Sequence, residues 1–381
     1  MALAIYVHVP YCPAKCPYCD FNVRVVRRIP EEEYVSALLR EIRSVRHEFF
    51  DFPPEVVSVF FGGGTPSLFH PRSFGRLLDT IAREFRTGPG IEVSLETNPD
   101  GVDLGRLRDF RRAGIGRLSI GAQSFDEATL RALGRWHSPA ENVRAFGLAR
   151  AAGFENVNLD LIFGVPGQSL ASWSEDLATA SGLRPEHVST YGLTYEPRTA
   201  FGRRRAKGEL VPLGEEEERR LYDLARERLL HAGYVAYELS NFALPGRQCL
   251  HNRHVWGGGS YLGFGAGAHS YVRRAWGVRW ENVRPPAAYE RAVRERGHAR
   301  ARTSVLRREQ AMIERILLGL RRETGIDRTR FAREFGWPLE LAFPRIRTLV
   351  ASGHLAPTPN GYRLAERAKA VADSVLETLV A

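Results

Sequence analysis

The sequence predicts an α/β protein in which a partial parallel barrel of six strand–helix units precedes a C-terminal helical domain. From residue 3 to about residue 195, short apolar stretches alternate with amphipathic stretches of helical spacing. Such alternation is typical of parallel strands joined by right-handed helical crossovers. Six units are too few for a complete eight-stranded barrel, which favours a partial one. The last eighty residues return to helical spacing.

Each element of the first half follows from its own pattern. Apolar and largely β-branched runs predict strands at Ala4–Val9, Val56–Phe61, Glu92–Thr97, Arg117–Gly121, Val157–Phe163 and His187–Leu193. Apolar residues at helical spacing predict helices at Glu31–Phe50, Arg72–Phe85, Asp103–Ala113, Ala140–Ala152 and Leu170–Ser181. Parallel sheets bind ligands at the carboxyl ends of their strands, so the glycine-rich and polar segments after these strands form the candidate site.

The second half of the chain is less regular. Pro197–Val211 is predicted to be a linker or surface loop, and Leu213–Ala232 a long helix with an acidic first turn that suits the helix dipole. Residues 234–300 are rich in Gly and Trp and are not assigned to elements. The C-terminal predictions are helices at Val305–Arg322, Thr329–Phe335 and Leu339–Ser352, two strands around Pro359-Asn360-Gly361, and a last helix from Ala365.

These elements predict three domains. Residues 1–200 form the partial barrel, residues 201–303 a linker helix and a Gly/Trp-rich region, and residues 304–381 a winged-helix-like domain. A winged helix raises the alternative of a regulatory DNA-binding protein. The chain has a formal charge of +10, but its basic residues are not interleaved with aromatic residues as a nucleic-acid platform requires. A solvated basic surface without nucleic acid is therefore favoured.

Composition and cysteine content restrict the class further. The chain has 381 residues, of which 44% are hydrophobic and 26% charged, so it is a folded globular protein. It has neither a signal-peptide pattern nor an apolar run long enough for a transmembrane segment. Three of its four cysteines crowd into Cys12-Pro-Ala-Lys-Cys16-Pro-Tyr-Cys19, which indicates a metal or cluster site in a reducing compartment. We expect a cytosolic protein.

Three thiolates in one loop directly after a strand suit a soft metal or an iron–sulfur cluster. A structural zinc site is the alternative, and it would need a fourth ligand. Cys249 lies far away in sequence, and His8 lies on the preceding strand rather than in the loop. Three ligands to a four-iron cluster would leave one iron with an open coordination position. In zinc proteins, an open position is typical of catalytic rather than structural sites, and the same logic favours a catalytic arrangement here.

The C-x3-C-x2-C spacing resembles that of the radical S-adenosylmethionine (radical SAM) superfamily. That resemblance implies a [4Fe-4S] cluster on Cys12, Cys16 and Cys19, with the open iron chelating the amino and carboxylate groups of SAM. The aromatic Tyr18 before the third cysteine also fits the superfamily.

Further motifs follow the other predicted strands. Gly62-Gly63-Gly64-Thr65-Pro66 closes the second strand, and residues without side chains let a ligand approach the backbone. Polar residues near later strand ends are Glu96, Gln123, Arg135 and Asp160. Buried charges need partners, so an internal network such as Arg135 with Asp160 is the alternative to ligand binding. The stretch 263–268 also satisfies a G-x-G-x-x-A fingerprint, but it lacks a clear following helix.

Together these motifs resemble, over nearly the whole chain, the oxygen-independent coproporphyrinogen III oxidases and their relatives, the HemW-type heme chaperones. Carried over by motif, Tyr6, Gly63 and Glu96 would contact a first SAM molecule. The second SAM or the substrate would be lined by Tyr18, Gly64, Thr65, Gln123, Arg135 and Asp160.

Three features favour the chaperone over the oxidase. The oxidase motif continues to a fourth cysteine, whereas here Asp20 and Phe21 follow Cys19. The oxidase also has a long N-terminal extension, whereas eleven residues precede Cys12. The segment His251-Asn252-Arg-His254-Val-Trp256 resembles the chaperones' H-N-x-x-Y-W segment, with valine in place of tyrosine.

His251 is chemically suited to ligate heme iron, although a satisfied core histidine is the alternative. We therefore expect a chaperone that binds a [4Fe-4S] cluster, SAM and heme and delivers heme to acceptor hemoproteins. The enzyme alternative is oxidative decarboxylation of the propionates of a porphyrinogen, coproporphyrinogen III. The sequence is compatible with both a chaperone and an enzyme.

Overall fold

A computed structural model describes residues 2–380, which form a large mixed sheet, flanking helices and a small C-terminal sheet. The strands are β1 (Ala2–Val9), β2 (Tyr11–Cys12), β3 (Arg24–Val25), β4 (Glu55–Gly63), β5 (Arg86–Thr97), β6 (Arg117–Gln123), β7 (Val157–Phe163), β8 (His187–Gly192), β9 (Val235–Ala236), β10 (Asn241–Ala243), β11 (Ser260–Phe264), β12 (His269–Val272), β13 (Val278–Asn282), β14 (Arg300–Val305), β15 (Ile326–Asp327), β16 (Leu355–Thr358) and β17 (Gly361–Leu364).

The helices pack around these sheets. They are α1 (Glu31–Phe49), α2 (Pro71–Glu84), α3 (Leu104–Arg112), α4 (Glu127–Ala132), α5 (Pro139–Ala151), α6 (Leu170–Gly182), α7 (Ala200–Ala206), α8 (Glu215–His231), α9 (Leu250–Trp256), α10 (Pro286–Arg296), α11 (Arg308–Arg321), α12 (Arg328–Phe335), α13 (Leu339–Ala342), α14 (Arg345–Ala351) and α15 (Ala372–Val380). Short 3₁₀ turns lie at Pro66–Leu68, Pro99–Gly101 and Glu366–Ala368.

The six predicted barrel strands are adjacent and parallel, in the order β1-β4-β5-β6-β7-β8. This confirms the α/β class and the partial barrel. On β1, Leu3, Ile5 and Val7 are fully buried in the main hydrophobic core, whereas the alternate residues Tyr6 and His8 lie on the other face. Since side chains alternate along a strand, the helices cover the apolar face and the polar residues face the barrel interior.

Residues 234–300 complete the sheet instead of remaining irregular. β11 adds a further parallel strand beside β1, and antiparallel β12, β13 and β14 follow it to one edge. β10 and β9 extend the opposite edge beyond β8. These strands have two to six residues. That is too few to show a clear alternation of apolar and polar residues, so the strands form because of the neighbours with which they pair. The 263–268 fingerprint leads from β11 into β12 and opens no helix.

The C-terminal region has its own hydrophobic core and a three-stranded sheet in the order β15-β17-β16. Helices α11 to α15 pack around that sheet, and the strand pair around Pro359-Asn360 is an antiparallel hairpin as expected. At the junction, Lys369 and Arg226 pair with Glu323 and Glu366, which connects α8 to this region. No helix within residues 2–380 is both long and apolar enough to cross a membrane.

Four element predictions were wrong in detail. Pro197–Val211 is not a plain loop, because it contains α7, whose buried Phe201 and N-cap Thr199 stabilise it. Val305 ends the edge strand β14 rather than starting a helix. Leu339–Ser352 is divided into α13 and α14 at Pro344, which cannot donate an internal helical hydrogen bond. The last helix begins at Ala372, after a 3₁₀ turn.

Candidate functional site

A cavity of about 570 Å³ opens at the carboxyl ends of the parallel strands, where this fold class places ligands. Eleven of the thirteen residues predicted from the sequence line it: Cys12, Cys16, Tyr18, Cys19, Gly63, Gly64, Thr65, Glu96, Gln123, Arg135 and Asp160. Tyr6 lies beneath it in the barrel, and its hydroxyl donates to Nδ1 of His8 over 3.0 Å. His251 is not part of this cavity.

The cysteine loop leaves the barrel at β2 and places all three thiols on the cavity wall. The Cys12 Sγ shares a hydrogen bond of 3.4 Å with Oγ1 of Thr65. Burial raises the pKa of the Cys12 thiol to about 11, and burial also raises the pKa of Cys19. Within residues 2–380, no three His, Cys, Asp or Glu side chains converge closely enough to hold a single metal ion. The fourth cysteine, Cys249, instead lies beside Glu92, near the opposite ends of the strands.

A chain of hydrogen bonds connects two of the thiols through side chains from three loops. Arg135 donates from Nη1 to Sγ of Cys16 (3.4 Å) and from Nη2 to Oδ1 of Asn98 (2.8 Å). Asn98 in turn donates from Nδ2 to Oγ1 of Thr65 (3.2 Å), which contacts Cys12. The sequence reasoning missed Asn98, although its position just after the third strand was a usable signal.

The expected alternative of an Arg135–Asp160 ion pair does not occur, because the two residues have other partners. Asp160 accepts hydrogen bonds from Ser119 Oγ (2.8 Å) and Asn158 Nδ2 (2.9 Å). Burial raises the pKa of Asp160 despite these donors. Asp160 thus faces the cavity from below, while Arg135 reaches the cysteine loop.

The glycine turn brings the backbone against the cysteine loop. A Cβ on Gly64 would lie 2.5 Å from the carbonyl oxygen of Tyr11 and 3.0 Å from the Cys12 Sγ. Gly63 has φ +118°, and a Cβ there would lie 2.5 Å from the His8 ring. Only glycine tolerates both the conformation and the close approach. The two glycines therefore let the turn pack directly against the cysteine loop and the His8 ring.

Glu96 presents a buried carboxylate next to this turn. Its Oε2 accepts a hydrogen bond from the Gly63 N–H over 3.0 Å. Burial, together with the nearby Asp160 carboxylate, raises the pKa of Glu96 to about 7. A cationic or proton-donating ligand would relieve the cost of this carboxylate, since opposite charge stabilises the ionised form.

Two further features shape the cavity. Gln123 adopts φ +66° at the end of β6, a left-handed conformation that is uncommon for a residue with a side chain. Strain of this kind clusters at ligand sites. At the rim, Phe21 and Trp136 line the cavity while 66% and 81% exposed. The mouth of the cavity is thus partly aromatic.

The donor set fits the groups that the cysteine spacing implies. Three thiols are the ligand chemistry of an iron–sulfur cluster. The glycine backbone, the Glu96 carboxylate and the Asn98–Arg135 pair offer the mixed donors and acceptors that an amino-acid ligand such as SAM needs. The lining also leaves about 570 Å³, which is within the usual range of a small-molecule site.

His251 lies elsewhere, on α9, near the amino-terminal ends of the strands. The backbone N–H groups of Leu250 and His251 donate to the Glu92 carboxylate, which fixes the start of this helix. The His251 ring is buried, packs 5.2 Å from the Phe60 ring centre and shares a 3.1 Å hydrogen bond with Ser58 Oγ. Burial lowers its pKa to about 3. In this conformation His251 is a satisfied core residue.

The partial barrel and its cysteine-lined cavity define a member of the radical SAM superfamily, whose family model matches residues 6–180. Within that superfamily the chain belongs to the family of the HemW heme chaperones. It is 34% identical to the heme chaperone HemW of Bacillus subtilis over 97% of both chains. It is also 34% identical to HemW of Escherichia coli K12, covering 100% of this chain and 98% of that protein.

Two other proteins extend the comparison. A mouse relative, radical S-adenosyl methionine domain-containing protein 1, mitochondrial, is 34% identical over 99% of this chain and 87% of its own length. The solved structure of coproporphyrinogen III oxidase (HemN) from Escherichia coli superposes with a TM-score of 0.84. It covers 99% of this chain and 89% of its own, at 22% identity, so the oxidase and this chain share a fold.

Proposed function

We propose that this protein is a cytosolic heme chaperone that binds a [4Fe-4S] cluster, SAM and heme, and delivers heme to acceptor hemoproteins. The observation that carries the proposal is the near full-length similarity to proteins named heme chaperone HemW. The local sequence agrees, because Asp20 and Phe21 follow Cys19 where the oxidases have a further cysteine.

In this proposal the cluster is held by Cys12, Cys16 and Cys19, and it supplies an open iron for SAM. Because burial raises the pKa of Cys12 to about 11, its thiol must lose a proton when it binds metal. Arg135 positions the Cys16 sulfur by donating a hydrogen bond to it over 3.4 Å.

SAM would occupy the remainder of the cavity. The Glu96 carboxylate and the backbone of the glycine turn lie together on one wall, since Glu96 already accepts from the Gly63 N–H. Gln123, Tyr18 and Asp160 line other parts of the same cavity. The family resemblance assigns them to a second SAM or to the substrate side.

Heme would be held at α9, which carries both histidines of the chaperone-like segment. His251 can reach a heme only if α9 moves away from Ser58 and Phe60, because its ring is enclosed between them. His254, one turn later, lines an open cavity. Its Nε2 bonds to the Ser260 carbonyl oxygen over 2.8 Å. A carbonyl only accepts, so Nε2 carries the proton and Nδ1 keeps a lone pair.

Anaerobic heme titration of the reconstituted protein tests this proposal. We expect saturation near one heme per chain, with a shifted Soret band in His254→Ala and unchanged iron–sulfur absorbance. His251→Ala serves as the paired variant, because its ring contacts the barrel rather than open space. A wild-type protein that binds no heme would contradict the chaperone function. A Soret band that shifts only in His251→Ala would support the chaperone function. It would also mean that α9 moves away from Ser58 and Phe60 when heme binds.

A further inference from the structure

A groove rich in arginine runs between α9 and the C-terminal region, outside the cysteine-lined cavity. It consists of two cavities of about 450 and 580 Å³ that share Gly257, Arg322 and Arg330. Five arginines line it: Arg253, Arg273, Arg315, Arg322 and Arg330. We call this surface the arginine groove.

The positive charge of the arginine groove is poorly balanced. Asp327 is the carboxylate among its lining residues, and it caps α12 by accepting from the Arg330 backbone N–H over 2.7 Å. Glu334, behind the groove, pairs with Arg273 (3.0 Å) and Arg315 (2.8 Å) through a single oxygen.

The remaining arginines of the groove lack such partners. Across residues 2–380, no carboxylate lies within ion-pair distance of Arg253, Arg322 or Arg330. Arg322 is the most affected: burial lowers its pKa, and Arg330, Arg253 and Arg315 lower it further by repulsion. Like charges close to the half-buried Arg322 weaken the folded state, and a bound anion would remove that cost.

The other lining residues restrict what the anion is attached to. Trp256, on α9, and Pro359, in the hairpin, add partly exposed apolar surface to the first cavity. His254 borders the second cavity, and burial lowers its pKa, so its ring is neutral near pH 7. Cations, an aromatic side chain and a neutral imidazole within one groove suit a flat apolar ligand that carries carboxylates.

We infer that the arginine groove binds the two propionates of heme, with Arg322 and Arg330 as the residues that contact the carboxylates. Arginine presents a planar fork of donors that matches a carboxylate in two-point contact. Arg322 and Arg330 border both cavities, so they can serve a ligand that spans them. This inference rests on the proposed function and assigns its ligand-binding surface.

The test compares heme with heme dimethyl ester, whose propionates carry no charge. Both ligands are titrated into the reconstituted wild type and into Arg322→Gln/Arg330→Gln. We expect the wild type to bind heme at least tenfold more tightly than heme dimethyl ester. The double variant should bind heme and the ester equally, with the affinity that the wild type has for the ester. Arg108→Gln/Arg347→Gln removes the same charge from exposed positions and should retain the wild-type preference.

Stability separates a binding role from a structural one. Because the double variant relieves repulsion, its thermal midpoint without heme should be no lower than that of the wild type. Arg322→Lys keeps a cation and should keep part of the preference for heme, which covers the case in which the double variant folds poorly. A wild type that binds heme and ester equally would overturn this inference alone. A wild type that binds neither would overturn the proposed function as well.

Discussion

Arg135 donates a hydrogen bond from Nη1 to Sγ of Cys16 over 3.4 Å, although 119 positions separate the two residues. The same guanidinium bonds Asn98, which bonds Thr65, which contacts Cys12. The cysteine loop is therefore held from the far side of the cavity by side chains of the barrel.

Cys16→Ala should abolish the cluster, because two remaining thiols cannot hold four irons. After anaerobic reconstitution, we expect about four irons per wild-type chain and loss of the broad visible absorbance in the variant. Cys249→Ser is the matched control, since Cys249 contacts Glu92 rather than the cavity. Full iron retention by Cys16→Ala, or stoichiometric zinc in the wild type, would contradict the assignment.

Gly64→Ala should weaken SAM binding at least tenfold. The added Cβ would lie 2.5 Å from the Tyr11 carbonyl oxygen, so the turn or the cysteine loop must move. Gly75→Ala on α2 is the control, because a Cβ there meets nothing within 4 Å and alanine favours a helix. Calorimetry measures both, and equal SAM affinities in the two variants would argue against a ligand at the glycine turn.

Glu96→Gln should change the pH dependence of SAM binding. With a pKa of about 7 in the free protein, the carboxylate is mostly protonated at pH 6 and mostly ionised at pH 8. The ionised form attracts the sulfonium cation of SAM. The ratio of wild-type to variant affinity should therefore rise by up to about tenfold from pH 6 to pH 8. A constant ratio would place Glu96 outside the binding interaction.

Glu41→Gln should remove a pH dependence of stability. Glu41 is buried and accepts hydrogen bonds from Tyr289 (2.7 Å), Asn282 (2.7 Å) and the Gly265 N–H. Burial outweighs these donors and raises its pKa from 4.5 to about 7. The folded state then keeps a proton that the unfolded state releases, so the free energy of unfolding falls as pH rises between those values, by up to about 3 kcal/mol.

Urea denaturation at pH 5 and pH 7.5 measures that effect. The stability of Glu41→Gln relative to wild type should be higher at pH 7.5 than at pH 5. Glu175 is exposed, so Glu175→Gln is the control. Its stability relative to wild type should be the same at pH 5 and at pH 7.5. Parallel pH profiles for wild type and Glu41→Gln would mean that Glu41 stays ionised in the folded protein.

The sequence was sufficient to locate the cysteine-lined cavity, because most candidate residues lie at or just after the ends of predicted strands and parallel strands end at one edge. Asn98 escaped notice because its role depends on the position of Arg135, which is brought to it by the fold. The position of α9 could not be predicted from the sequence either. His251 and His254 lie three residues apart on one helix, and the docking of its first turn on Glu92 determines which ring enters the barrel.

The oxidase alternative has its own measurement, which is turnover of coproporphyrinogen III with SAM and a reductant. We expect no protoporphyrinogen, because the cysteine motif does not continue beyond Cys19 and Phe21 is 66% exposed at the cavity rim, which leaves the mouth open to solvent. An active site must shield a reactive species from water. Multiple-turnover decarboxylation would identify an enzyme.

Heme transfer tests the central claim most directly. The reconstituted protein is loaded with one heme and mixed with an excess of an apo-hemoprotein, and the appearance of the holo-form is followed by its Soret band. The account predicts transfer faster than spontaneous heme release into a passive scavenger, with the transferring protein recovered heme-free and its cluster intact. Transfer no faster than that passive release would contradict a chaperone function.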